Sequence, residues 1–227
     1  MLIHSYFFII GTIIGSFLTL CIDRIDLGQS IISPRSHCFT CHHLLRTYDL
    51  IPILSYCVLN GKCRYCKQPF PPNSCLVELT LGLLYLQISF VTYHPLPLTM
   101  NLLTATILIY LSLDDLTHTC VNVCLIGALG ILGLLKHPST INLLLAFFLL
   151  ISIFSHFQFS NIVKGFGEAD IELIFVFAIL HGIQSLPAII FFASLTCLSF
   201  TLIFQKIVPR QIPFIPYLAF GYFLLPF

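Results

Sequence analysis

Eight long apolar runs dominate this sequence, near residues 2–21, 76–94, 99–113, 122–135, 140–157, 171–186, 187–205 and 212–227. A membrane-spanning helix needs about 20 mostly apolar residues, because each residue advances it about 1.5 Å across about 30 Å of hydrocarbon. The third and fourth runs are short for that task. The run from Ile171 to Phe204 is long enough for two spans, and Gly182 with Pro187 supplies the break between them. Charge leads to the same conclusion. Only 8% of the residues are charged and the mean hydropathy is +0.99, against about 25% charged residues in a soluble domain. The reading is an all-α, polytopic membrane protein of about eight transmembrane helices embedded in the lipid bilayer. The first run, Leu2 to Cys21, has no basic segment before it and no Ala-x-Ala type of cleavage site, so it reads as a retained span. A net charge of +1 predicts no nucleic-acid partner.

Basic residues set the orientation, since they stay on the cytoplasmic side. Arg24, Arg35, Arg46, Lys62, Arg64 and Lys67 lie between the first two runs, Lys164 between the fifth and sixth, and Lys206 and Arg210 between the seventh and eighth. With the N-terminus outside, all of these fall inside and only Lys136 falls outside. The organisation that follows is a first transmembrane helix over 1–22, a cytoplasmic loop over 23–75 and a multi-helix membrane domain over 76–227. The loop is too short for a large core and needs a staple.

That staple is legible. The loop carries Cys38-Phe39-Thr40-Cys41 and Cys63-Arg64-Tyr65-Cys66, a C-x2-C-x21-C-x2-C pattern. Two residues between thiols let one tight turn aim both sulfurs at a single ion, and a closed shell of four thiolates suits structural Zn2+. The competing reading is two disulfides or a redox pair, which a cytosolic loop disfavours. His37, His42 and His43 are candidate substitutes for a cysteine. Cys57 and Cys75 lie off the pattern, and Cys21, Cys120, Cys124 and Cys197 read as small hydrophobes.

The acids form the second motif. Carboxylates at membrane depth are costly and point to function. Asp114 and Asp115 precede Leu116-Thr117-His118, while Glu168, Asp170 and Glu172 follow Lys164-Gly165-Phe166-Gly167. Two carboxyls held close share a proton; one then activates a water while the other polarises a scissile carbonyl. Gly165 and Gly167 would let the chain bend beside a substrate strand. The plainer reading makes Asp170 an N-cap and Asp114–Asp115 a solvated loop pair. Glu78 stands alone near the start of the second run.

These residues resemble a known family. Gly11-x3-Gly15-Ser16-Phe17-Leu18, Asp23-Arg24, Ser33-Pro34-Arg35-Ser36-His37-Cys38, Leu50-Ile51-Pro52-Ile53-Leu54-Ser55 and Glu78 together look like type IV prepilin peptidases. These are GxGD-type membrane aspartyl proteases, and the small tetracysteine form is closest to the competence-type leader peptidases of Gram-positive bacteria. The resemblance implies a multi-pass protein of the bacterial inner or plasma membrane. It would cut the leader from prepilin or pseudopilin substrates at the cytoplasmic face. It also implies catalytic Asp115 and Asp170. Leu116 and His118 favour Asp115 as the first acid, and the spacing to Asn122 favours Asp114. The pattern departs from the family at Val121-Asn122, where a proline is usual, at Ala169 in place of glycine, and at Glu172 in place of lysine. Ala169 would resist a positive φ that glycine accepts. Many relatives also methylate the new N-terminus with S-adenosylmethionine; no glycine-rich nucleotide loop here speaks independently for that activity, which stays open. The alternatives are a membrane transporter using the same carboxylates and a pilus-assembly scaffold that kept the cysteines and lost catalysis.

Overall fold

The structure, a computed structural model, describes residues 2–33, 35–38, 40–118, 121–159, 168–203 and 212–225; the side chains of 154–159 and 168 are outside the description. Lys164, Gly165, Gly167, Lys206, Arg210 and Cys120 therefore lie outside the described residues, as does the side chain of Glu168. Among the described residues the protein is helical and has no strand. Its α-helices are α1 (Leu2–Asp26), α2 (Leu54–Val58), α3 (Asn73–Val91), α4 (Pro95–His118), α5 (Val123–Lys136), α6 (Thr140–Phe159), α7 (Glu168–His181), α8 (Leu186–Ile203) and α9 (Ile215–Phe223). The chain divides into two compact units, Met1–Tyr93 and His94–Phe227.

Among the described residues four segments are long and apolar enough to cross a membrane: Leu2–Asp26, Asn73–Val91, Pro95–His118 and Ile183–Ile203. The third apolar run is longer than its sequence reading. At 24 residues α4 reaches about 36 Å, because Pro95 and the acids at its far end are all helical. The fourth run does form a short helix of 14 residues. The break after α7 falls where Gly182 takes a φ of +85° and Pro187 enters the first turn of α8.

In the first unit α1 packs on α3. Gly11 and Gly15 make the approach close: a Cβ on Gly15 would sit 2.9 Å from the Cα of Glu78, and one on Gly11 would sit 2.7 Å from the Leu81 carbonyl oxygen. Small residues at a helix crossing are how apolar helices gain contact in lipid, where the hydrophobic effect between them is absent. After α1 the chain folds back because buried Arg24 donates through Nη1 to the carbonyls of Ser30 and Ile31, each at 2.9 Å.

The loop after α1 is built from two copies of one turn. Cys38 N–H donates to the His43 carbonyl and His42 N–H to the Cys38 carbonyl; Cys63 repeats this with Gln68 and Lys67. The bridge His37↔Leu44 recurs as Lys62↔Pro69. His42 and Lys67 both take positive φ, 54° and 60°, to close the turn after the second cysteine. This local repeat was not visible in the sequence, because only the cysteine spacing is shared. Arg64 joins the second turn to the segment Thr47–Leu50 through a 2.8 Å bond to Asp49 and stacks 5.0 Å from the Tyr48 ring.

In the second unit α7 is the core helix. It packs on α5, α6 and α8, and Leu173, Val176, Phe177, Ile179 and Leu180 are all at or below 1% exposed. This stretch of the helix is apolar, as expected where neighbours cover it, while Ile171 near its start stays 44% exposed. The helix α9 packs on α8 and α4.

Candidate active site

Asp115 lies in the last turns of α4 and is 8% exposed. Its Oδ2 accepts the Ile215 N–H at 3.1 Å, at the start of α9. The N-terminus of a helix has N–H groups without intrahelical partners, so a carboxylate there is well placed. Asp114 points elsewhere: its Oδ1 pairs with His118 Nδ1 at 2.9 Å, one turn on. The two neighbours thus have different surroundings, and neither belongs to a loop. Asn122, the marker for the Asp114 reading, caps α5 by accepting the Cys124 N–H at 3.0 Å.

Asp170 is half-buried in the first turn of α7. It is a residue of the helix and not the cap before it, which corrects the N-cap reading. The charge of Asp115 acts on the Asp170 carboxyl, so α4 and α7 bring these two acids into one neighbourhood. Ala169 is helical and absent from the residues of positive φ, so the position makes no demand for glycine. Glu172 is fully buried, and Ser152 Oγ donates to its Oε1 at 3.4 Å. A neutral hydroxyl from α6 thus holds Glu172. Neither the Ile215 nor the Ser152 contact is visible in the sequence, since each joins residues of different helices.

The four cysteines of the loop meet. The sulfurs of Cys38, Cys41, Cys63 and Cys66 all lie within 4.8 Å of one another, and the described cysteines form no disulfide. Cys38 Sγ and Cys66 Sγ are 3.8 Å apart. Tetrahedral bonds of about 2.3 Å to one zinc ion put sulfurs about 3.8 Å apart, so the donor set fits that ion. Burial works to raise the Cys38 thiol, yet hydrogen bonds from the Cys41 and Thr40 backbone and from neighbouring thiols bring it down to about 6. The Gln68 amide lowers the Cys66 thiol, but desolvation and the other three sulfurs push it up to about 11. Four crowded sulfurs share negative charge poorly until a cation balances it. His37, His42 and His43 are outside this group: His37 Nδ1 meets the Arg35 carbonyl, and the His43 ring lies 3.6 Å from that of Tyr65.

Glu78, left isolated by the sequence, ties the loop to α3. Its Oε2 accepts the Ile53 N–H at 2.7 Å and its Oε1 the Ser74 hydroxyl at 3.3 Å. Ile53 takes φ 60° and ψ −53°, and the Leu54 N–H closes back on the Pro52 carbonyl. This is the rarer, strained hand of γ-turn, costly for a β-branched side chain.

Apolar helices long enough to span a bilayer and a loop gathered by four thiols define a helical membrane protein with a small cysteine-stapled loop. Comparison with known proteins makes the class specific. Residues 9–92 match the family described as Bacterial Peptidase A24 N-terminal domain. A prepilin leader peptidase/N-methyltransferase of Bacillus subtilis is 30% identical, over 96% of this chain and 91% of its own length. The protein of that name from Dichelobacter nodosus is 28% identical over 84% of this chain and 70% of its own. The Myxococcus xanthus protein of the same name is 40% identical over half of this chain, a match that spans 34% of that relative. The chain belongs to the prepilin leader peptidase/N-methyltransferase family. No solved structure matches it.

Proposed function

We propose that this chain is a membrane aspartyl endopeptidase that removes the leader from prepilins or competence pseudopilins, with Asp115 and Asp170 as its catalytic acids. The observation that carries the reading is the interaction of these two carboxyls from α4 and α7, in a family whose members are named for leader cleavage. In the proposed reaction one carboxylate takes a proton from a water, whose oxygen attacks the scissile carbonyl carbon. The other carboxyl gives its proton to the carbonyl oxygen. As the tetrahedral species collapses, the C–N bond breaks and the leaving nitrogen takes a proton. The pairing of Asp114 with His118 favours Asp115 as the first acid.

The site belongs at the cytoplasmic face of the bacterial inner or plasma membrane, because the basic residues gather on that side of the span order. Zn2+ would be held by Cys38, Cys41, Cys63 and Cys66 as a structural staple: a closed four-sulfur shell leaves no open position for chemistry. Co-expression with a cognate prepilin tests the function. Wild type releases the leader on a gel, and the double variant Asp115→Asn with Asp170→Asn does not. Uncleaved prepilin with the wild-type chain would instead make it an assembly scaffold or a transporter.

A further inference from the structure

The second unit sorts its charges to opposite ends of its helices. Asp115 and Asp170 mark one end, where α4 finishes and α7 starts. At the other end stand Lys136 and His181, each in the last turn of its helix, with His137 beside Lys136 in the chain. The acids of the same helices are remote: Glu172 lies about 14 Å of helix from His181, and Asp114 about 20 Å from Asn101. Lys136 is half-buried, and its Nζ donates across to Oδ1 of Asn101, a 3% exposed residue of α4, at 2.9 Å. A lysine that only reached for water would point outward past the end of its helix; this one turns to a neighbouring helix. Among the described residues no carboxylate pairs with it. Its charge acts on both the His137 and the His181 imidazole, so the three basic groups form one cluster. The helix-end carbonyls nearby are met by neutral donors: Asn142 Nδ2 serves His137 at 2.7 Å and Ile179 at 3.4 Å, and Ser185 Oγ serves His181 at 2.9 Å. These caps use the groups that would otherwise answer the ammonium. A cation at membrane depth with no acid beside it calls for an anion from outside the chain.

We propose that this end of the second unit binds the phosphate of an anionic phospholipid headgroup, with Lys136 as its charged donor, His137 and His181 beside it, and the acyl chains along Leu135 and Ile141. Those two apolar side chains flank the cluster in sequence and are both more than half exposed. Basic sites between membrane helices take lipid headgroups in this way. A free phosphate ion would answer the ammonium but gain nothing from the apolar flanks. The inference rests on charge and packing within the second unit, and not on the peptidase reading.

Native mass spectrometry of the full-length chain in detergent tests it, with phosphatidylglycerol and phosphatidylcholine as probes. The two share a phosphate and acyl chains and differ in net charge, so wild type should retain the first at least about fivefold better. Lys136→Gln should bring the two lipids to within about twofold. Arg35→Gln, which removes the same charge from an exposed part of the cysteine loop, should leave the preference unchanged. Asp115→Asn should also leave it unchanged, which separates failure here from failure of the peptidase reading. Photoreactive phosphatidylglycerol bound to wild type should label residues 131–145 or 176–186, a readout that needs no variant to fold, and excess inorganic phosphate should not displace it. Equal retention of both lipids by wild type, a preference that survives Lys136→Gln or is lost equally in Arg35→Gln, a label found elsewhere in the chain, or displacement of the lipid by inorganic phosphate would overturn the assignment.

Discussion

At the scale of single residues, neighbours in sequence have opposite fates. Asp114 turns to His118, while Asp115 turns inward to the first amide of α9. No property of the dipeptide distinguishes them, because the difference is made by a helix about a hundred residues away. The acids themselves were legible as costly groups in lipid, and their partners were not. Ile53 teaches a related lesson. Its positive φ accompanies the bond from its amide to Glu78, and nothing in Pro52-Ile53-Leu54 forecasts it. Glycine at this position sheds the Cβ conflict and keeps the amide. Ile53→Gly should therefore raise stability by about 1 kcal/mol, seen as a higher melting temperature in detergent. A lower melting temperature would mean that the isoleucine side chain packs better than its backbone suffers.

At the scale of elements, apolar runs were read well and their ends poorly. The run from 99 to 113 becomes α4 from Pro95 to His118, since Asp114 and Asp115 sit within a helix whose polar end is satisfied by His118 and α9. The run beginning at Ile171 gains three residues, Glu168 to Asp170, which moves Asp170 inside α7. Where two elements meet closely, the expected outcomes are sharp. A valine at Gly15 would press on the backbone of α3 at Glu78, and such overpacking costs about 1–3 kcal/mol. Gly15→Val should lower the yield of folded protein, measured by size-exclusion chromatography in detergent, whereas Ser16→Ala beside it should not. The cysteine loop was the most legible element of all, because thiol spacing alone predicts that the four sulfurs gather, and they lie within 4.8 Å of one another. Cys38→Ser with Cys41→Ser should abolish stoichiometric zinc measured by atomic absorption and reduce protein level. The proposed structural role of the ion predicts that cleavage per folded molecule falls much less than the level does.

At the scale of the whole molecule, the apolar helices and the family relation agree on a membrane-embedded peptidase. The helices α4, α7 and α9 belong to one unit, in which the charge of Asp115 reaches the Asp170 carboxyl. Distance in sequence hides that relation; composition reveals only that acids are scarce and costly. Integration into lipid has its own check: alkaline carbonate should leave the chain in the membrane fraction, and detergent should release it.

The pairing of Asp115 with Asp170 is tested most directly by steady-state cleavage of a purified prepilin by the chain and its single variants. Asp115→Asn and Asp170→Asn should each lower kcat by about a thousandfold or more while KM changes little, the pattern of groups that act in the transition state. Asp114→Asn should stay within a few-fold of wild type. If either Asp115→Asn or Asp170→Asn cleaves at near the wild-type rate, the two carboxyls are not the catalytic pair.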